Sequence, residues 1–208
     1  MMQIDKSITI HDLLNLQNEN EAVRITVLYP YAKTHEHWVG LIEDALKHIL
    51  IEFSKTRQER ADRSEDGLTV DIITALRFMG MNANHDIKYG GHCDIVIERR
   101  EFMWLGEAKI HRDYEWLLKG FMQLSTRYST GLPGQDVGGM IIYCKNANIK
   151  SVMDKWRKHL SDNVPSIKIE DCDDNPLVFY SRHDHQVSGL PYKVKHLPMA
   201  LYFAPQDK

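Results

Sequence analysis

Residues 90–110, GGHCDIVIERREFMWLGEAKI, restrict the fold of this chain more than any other segment. A Gly-Gly pair opens the segment, and residues 92–98 and 102–110 form two apolar runs rich in strand-forming residues. The charged residues 98–101 between them carry the signal of a hairpin turn. Side chains two apart on a strand share a face, so Glu107 and Lys109 project together. A turn centred between Arg100 and Glu101 sets Asp94 directly opposite Glu107, where cross-strand Cβ atoms are about 5 Å apart. Two carboxylates that close, in strands built for burial, repel unless a proton or a cation stands between them. A hard divalent cation such as Mg²⁺ suits oxygen ligands, and the neighbouring lysine suits a substrate with negative charge. An ordinary surface hairpin is the competing explanation, but isolated charges within apolar strands are uncommon.

The chain around this hairpin supplies the helices and further strands of an α/β fold. Thr34 is placed to cap a long helix, and Trp38, Leu41, Ile42, Ala45, Leu46, Ile49, Leu50 and Phe53 recur at steps of three and four. That helix is expected to reach about Arg60, roughly 40 Å. Its polar second half (55–63) would project from the core, either solvated or against a partner. A second helix spans 64–79, with Leu68, Ile72, Ala75, Leu76 and Met79 inward and Gly80 ending it. Residues 82–89 read as a first strand, making a three-stranded meander with the hairpin, and residues 113–128 read as a helix. The glycine-bounded apolar run 137–145 is a buried strand, and the strand–helix–strand order makes it parallel to its neighbour. Before all of these, residues 23–29 are β-branched and suggest a strand or extended arm stopped by Pro30.

Asp94 followed thirteen residues later by Glu107-x-Lys109 resembles the core motif of the PD-(D/E)xK nuclease superfamily, which includes many restriction and repair endonucleases. The resemblance covers residues 64–145, less than half of the chain, and Cys93 stands where the motif's proline would be. It implies a restriction-endonuclease-like fold: a mixed central sheet of four core strands flanked by helices, here with a C-terminal β extension. It further implies Mg²⁺, with Mn²⁺ as a substitute, held by Asp94 and Glu107. Lys109 would orient the attacking water or stabilise the charge that develops on the phosphate. Many members carry an acidic residue on the helix before the first core strand. Glu65 takes that place here, as a catalytic residue and third metal ligand, with Asp66 and Asp71 as weaker candidates. Acids in a first helical turn also complement the helix dipole, which explains the same residues without chemistry. Some branches carry a glutamine and a tyrosine four apart on the following helix. Here Gln123 and Tyr128 are five apart, so Gln123 is retained as a site residue and Tyr128 departs from the pattern.

The whole chain reads as one domain: an arm and long helix (1–60), a core (64–160) and the C-terminal β extension (161–208). A formal net charge of −3 excludes a global basic field, so any nucleic-acid contact must be local. Residues 145–160 supply one candidate, with Lys145, Lys150, Lys155, Arg157 and Lys158 against the single acid Asp154; a solvated helix face explains them equally well. Glu170, Asp171, Asp173 and Asp174 lack calcium-loop spacing and read as an exposed loop, followed by strands at 178–181 and 192–203. The pairs His35/His37 and His183/His185 have no cysteine companions and make a poor case for zinc. Three cysteines without CxxC spacing suit a reducing compartment. The first residues lack a signal peptide's apolar core, and no apolar run approaches membrane-spanning length, so the expectation is a cytoplasmic protein with no membrane partner.

These observations favour a metal-dependent endonuclease that hydrolyses phosphodiester bonds in DNA. The resemblance places such a small nuclease in restriction or anti-phage defence, with a homodimer or a defence-complex partner. The alternative is a catalytically inactive nuclease-fold protein acting as a nucleic-acid-binding or assembly subunit. An interaction protein using the long helix as its partner surface is a third reading. Replacing Glu107 or Lys109 is expected to end cleavage without unfolding the chain.

Overall fold

A computed structural model describes residues 20–88 and 90–207, together with residues 11, 12, 15 and 18. The first ten residues, where a leader would begin, lie outside the described residues. From residue 20 onward come the helices α1 (Glu21–Leu28), α2 (His35–Lys55) and α3 (Glu65–Phe78). They are followed by strands β1 (Ala83–Asn84), β2 (Ile87–Lys88), β3 (His92–Cys93), β4 (Ile95–Arg99) and β5 (Phe102–Ile110). Helix α4 (Tyr114–Gln123) leads to β6 (Val137–Cys144), and α5 (Ile149–Asn163) leads to β7 (Lys168–Asp171), β8 (Phe179–Asp184) and β9 (Pro191–Ala200).

Seven strands form one mixed sheet in the order β1-β4-β5-β6-β9-β8-β7. Strand β6 is parallel to both β5 and β9, as the strand–helix–strand order requires, and the other pairs are antiparallel. Period-two alternation divides the buried side chains between two layers. Trp104, Ala108, Ile141, Tyr143, Leu197 and Met199 face α1–α3, whereas Met103, Leu105, Met140, Ile142 and Val194 face α4 and α5. Helices on both faces are why β5 and β6 read as nearly unbroken apolar runs. Among the described residues, no helix is long and apolar enough to cross a membrane.

Helices α2 and α3 start where their caps predict: the Thr34 side chain accepts from His37 N, and that of Ser64 from Gly67 N. The predicted α2 stripe is buried from Trp38 to Leu50. Four expectations are corrected. Residues 21–28 form a helix rather than a strand or arm, because Asn20 caps it and burial of Ile25 overrides β-branched propensity. Helix α2 ends at Lys55: Thr56 leaves helical geometry, and the polar segment folds back instead of projecting. Arg57 Nε donates to Tyr202 O at 2.9 Å, and the Arg60 guanidinium lies 4.0 Å from the Phe53 ring centroid. The expected first strand is split by Asp86, at φ +56°, into β1 on the main sheet and β2, which pairs with β3 in a separate ribbon; Tyr89 of that expectation lies outside the described residues.

The fourth correction concerns the C-terminal strands. They are no appendage, because β9 lies between β6 and β8 and carries buried side chains toward both helical layers. The supposed exposed acidic loop contributes β7 at the sheet edge, where charged residues are tolerated and discourage further pairing.

Candidate functional site

Strands β4 and β5 pair with Ile95 opposite Gly106 and Arg99 opposite Phe102, the register set by a turn centred between Arg100 and Glu101. The next position outward is Asp94, which interrupts the chain between β3 and β4. Its Oδ2 accepts from Ala108 N at 2.8 Å, which fixes the carboxylate beside β5. Lys109 Nζ lies 2.7 Å from Glu107 Oε1, 3.4 Å from Glu65 Oε1 and 3.7 Å from Asp94 Oδ2. Glu65 arrives from the first turn of α3, and its Oε2 also accepts from Ile110 N at 2.7 Å. Glu107 and Lys109 are 1% and 6% exposed, so this cluster is held largely out of water. Helix α4 closes over it at Gly120, where a Cβ would stand 3.0 Å from Lys109 Cγ and 3.3 Å from Glu107 Cγ.

Three carboxylates around one ammonium leave a formal surplus of two negative charges when all are ionised. Burial, reinforced by the charge of Asp94, pushes the Glu107 carboxyl up to about 7. Burial likewise raises Asp94, against the opposing pull of Lys109. For Lys109, burial favours the neutral amine, but Glu107, Asp94 and Glu65 outweigh it, and the ammonium is held more firmly than usual. Glu107 Oε2 is buried without a hydrogen-bond partner. An orphaned carboxylate oxygen within a surplus of negative charge fits the needs of a hard cation. Among the described residues, no group of three or more His, Cys, Asp or Glu side chains is arranged as a metal centre; Lys109 is the common partner of these carboxylates.

Of the three helix carboxylates considered, the fold brings only Glu65 to the cluster. Asp71 pairs with Arg60 and Arg63, and Asp66 is exposed. Gln123 and Tyr128 do meet: Gln123 Nε2 donates to Tyr128 Oη at 3.2 Å. The five-residue spacing is taken up by a π-helical turn, Leu124–Tyr128, which continues α4. Such a turn makes residues five apart neighbours, and π-turns within α-helices frequently mark functional positions. Burial, and next the charge on Glu107, push the Tyr128 hydroxyl up to about 12.

Most cations of the basic segment 145–160 have partners within the chain. Lys150 pairs with Asp154, Lys158 with Asp162 and Arg157 with Asp171, while Lys145 Nζ donates to Arg63 O. One histidine of each pair has a partner elsewhere, whereas both ring nitrogens of His183 are buried without a hydrogen-bond partner. His35 faces Asp136 and Phe102, and His185 is hydrogen-bonded to Ser129.

Trp116, within the segment 113–128 that reads as a helix, has no assigned role in the sequence. It stands beside the cluster, with Lys109 Nζ 5.3 Å, Arg112 Cζ 3.7 Å and Lys119 Nζ 5.5 Å from its ring centroid. Part of the signal was legible: Lys119, three residues after Trp116, shares its helix face, whereas Arg112 precedes the helix and its approach to the ring is not fixed by spacing. In comparisons with known proteins, no family model, curated protein or solved structure matches this chain.

Proposed function

We propose that this protein is a metal-dependent nuclease that hydrolyses phosphodiester bonds in DNA, with the Asp94, Glu65, Glu107 and Lys109 cluster as its active site. One observation carries the reading: a buried carboxylate cluster with surplus negative charge, in which Glu107 Oε2 has no partner. Asp94, Glu107 and Glu65 are the residues that would hold Mg²⁺ or Mn²⁺. Bound there, such a cation supplies a Lewis acid that polarises a phosphoryl oxygen and makes water more acidic. Lys109 keeps its proton and offers it as a hydrogen-bond donor to negative charge growing on a phosphate oxygen. Gln123 and Tyr128 position the rim through their mutual hydrogen bond.

A second reading, a non-catalytic nucleic-acid-binding or assembly subunit, also draws on one observation. Lys109 already lies within 4 Å of all three carboxylates and offsets part of their charge without a metal. The test is cleavage of plasmid, linear duplex and single-stranded DNA, and of RNA, with Mg²⁺, with Mn²⁺ and with chelator. Metal-dependent cleavage by the wild type that Glu107→Gln abolishes supports hydrolysis. Binding without cleavage under either metal overturns it in favour of the second reading.

A further inference from the structure

We infer that Arg112, Trp116 and Lys119 form a stacking platform that feeds single-stranded nucleic acid to the cluster, an inference that rests on the proposed nucleolytic reading. Trp116 lies in the first turns of α4, the helix that covers Glu107 and Lys109 at Gly120. Lys109 is common to both groups, 2.7 Å from Glu107 and 5.3 Å from the Trp116 ring centroid. A strand whose phosphate meets the cluster therefore has an aromatic ring within one nucleotide's reach. The guanidinium of Arg112 is stacked 3.7 Å from that ring and, with Lys119, supplies cations beside it. Arg112 and Lys119 are exposed, and the ion pair that Arg112 makes with Asp113 is solvent-facing at 3.6 Å and thus weak.

The chemistry of this rim selects among nucleic acids. Every base has a π-face, so stacking on an aromatic ring or its guanidinium extension is available to unpaired bases and tolerant of sequence. In a duplex those faces are already stacked within the helix. Duplex binding instead draws mainly on many phosphate contacts. This molecule is poorly equipped for that, because its net charge is −3. A few local cations beside one aromatic ring suit a flexible, unpaired strand.

Three of the four tryptophans, Trp38, Trp104 and Trp156, are 0% exposed, so Trp116 is the tryptophan a ligand can reach. The experiment titrates wild-type protein with a dT 12-mer, an rU 12-mer and a 12-base-pair hairpin duplex, in chelator so that no strand is cut. Intrinsic fluorescence reports stacking, and anisotropy of labelled strands reports affinity. Saturable quenching by a single strand, with the hairpin binding more weakly, is expected; the dT and rU arms separate DNA from RNA. Trp116→Ala should weaken single-strand binding about tenfold, Trp116→Phe much less, with melting temperatures confirming that each variant folds. Arg112→Ala combined with Lys119→Ala should lower the slope of log K against log salt by about 1.4, the value for two phosphate contacts on a single strand. Equal or tighter binding of the hairpin, or unchanged affinity in Trp116→Ala, overturns the platform. Single-strand quenching without cleavage in metal overturns the hydrolytic reading and leaves the platform standing. Cleavage that is indifferent to Trp116 does the reverse.

Discussion

At Glu107, burial and the charge of Asp94 act in the same direction, and their joint effect has a sign that stability measurements can read. The folded-state value of about 7 stands above the ordinary 4.5. Between those two pH values the folded protein holds a proton that the unfolded chain has released. Folding therefore takes up a proton in this window, and stability falls as pH rises from about 4.5 to about 7, then levels. The full effect is of order 3 kcal/mol. Lys109, also raised, loses its contribution only above its usual range near 10.5, well outside that window. Denaturant unfolding from pH 4.5 to 8.5 should show the decline in wild type and a flattened profile in Glu107→Gln; parallel profiles would contradict this electrostatic account. If a divalent cation competes with that proton, Mg²⁺ should raise the melting temperature more at pH 8 than at pH 6. Equal shifts at both pH values would place any bound metal away from Glu107. Lys109→Met is a different case: the chain is still expected to fold, but with a measurable loss of stability. The Lys109 ammonium is the shared partner of three carboxylates, so its loss leaves them uncompensated, at a cost of about 3 kcal/mol at pH 8. The penalty should shrink at pH 5, where Glu107 carries its proton. A pH-independent loss would point to lost packing of the lysine stem instead.

Among the elements, the π-turn Leu124–Tyr128 links the cluster to the segment that precedes Asp94. Gly90 packs against it: at φ +62°, a Cβ there would stand 2.2 Å from Arg127 O. Gly189 has a similar φ of +69° but open space around its missing Cβ. Gly90→Ala should thus cost about 1–3 kcal/mol more than Gly189→Ala, the excess being overpacking rather than backbone strain. Thermal unfolding of the two variants makes the comparison, and equal losses would mean that the turn yields without resisting. What the sequence disclosed at this scale follows from the range of the forces involved. Helices α2 and α3 were legible because their caps and apolar stripes are local. So was the β4–β5 register, and with it Asp94 opposite Glu107, because one turn fixes every pair after it. The π-turn was not legible, since five-residue spacing looks like a departure until a tertiary contact fixes it. The end of α2 was also hidden, because it depends on Arg57 reaching Tyr202, 145 residues away. Residues 23–29 read as a strand or arm because their β-branched content is a local signal and the burial of Ile25 is not.

Over the whole molecule, the decisive fact is that β9 lies inside the sheet. The sequence motifs sit between residues 64 and 145, which invites the view that 64–160 could stand alone with the remainder as an addition. The hydrogen-bond ladder argues otherwise. Strand β6 is satisfied on one side by β5 and on the other by β9, from Val137 against Lys193 to Cys144 against Ala200. Removing 161–208 would leave the backbone of β6 as an open edge along its full length. It would also uncover Met140, Ile142, Tyr143 and Trp156, all 0% exposed in the intact protein, on both faces of the sheet. Long, flat apolar edges of this kind pair with other chains. We therefore expect residues 1–160 to show no cooperative thermal transition by circular dichroism and to elute as aggregate in size-exclusion chromatography. The intact chain should unfold in one cooperative step. Independent folding of the fragment, with a sharp melt and a monomeric elution volume, would restore the view of 161–208 as an extension. The consequence for function is direct. Glu107 and Lys109 stand on β5, which is braced by β6, and β6 is braced in turn by β9. The geometry of the cluster therefore depends on a strand, β9, more than eighty residues downstream that contributes no group to it.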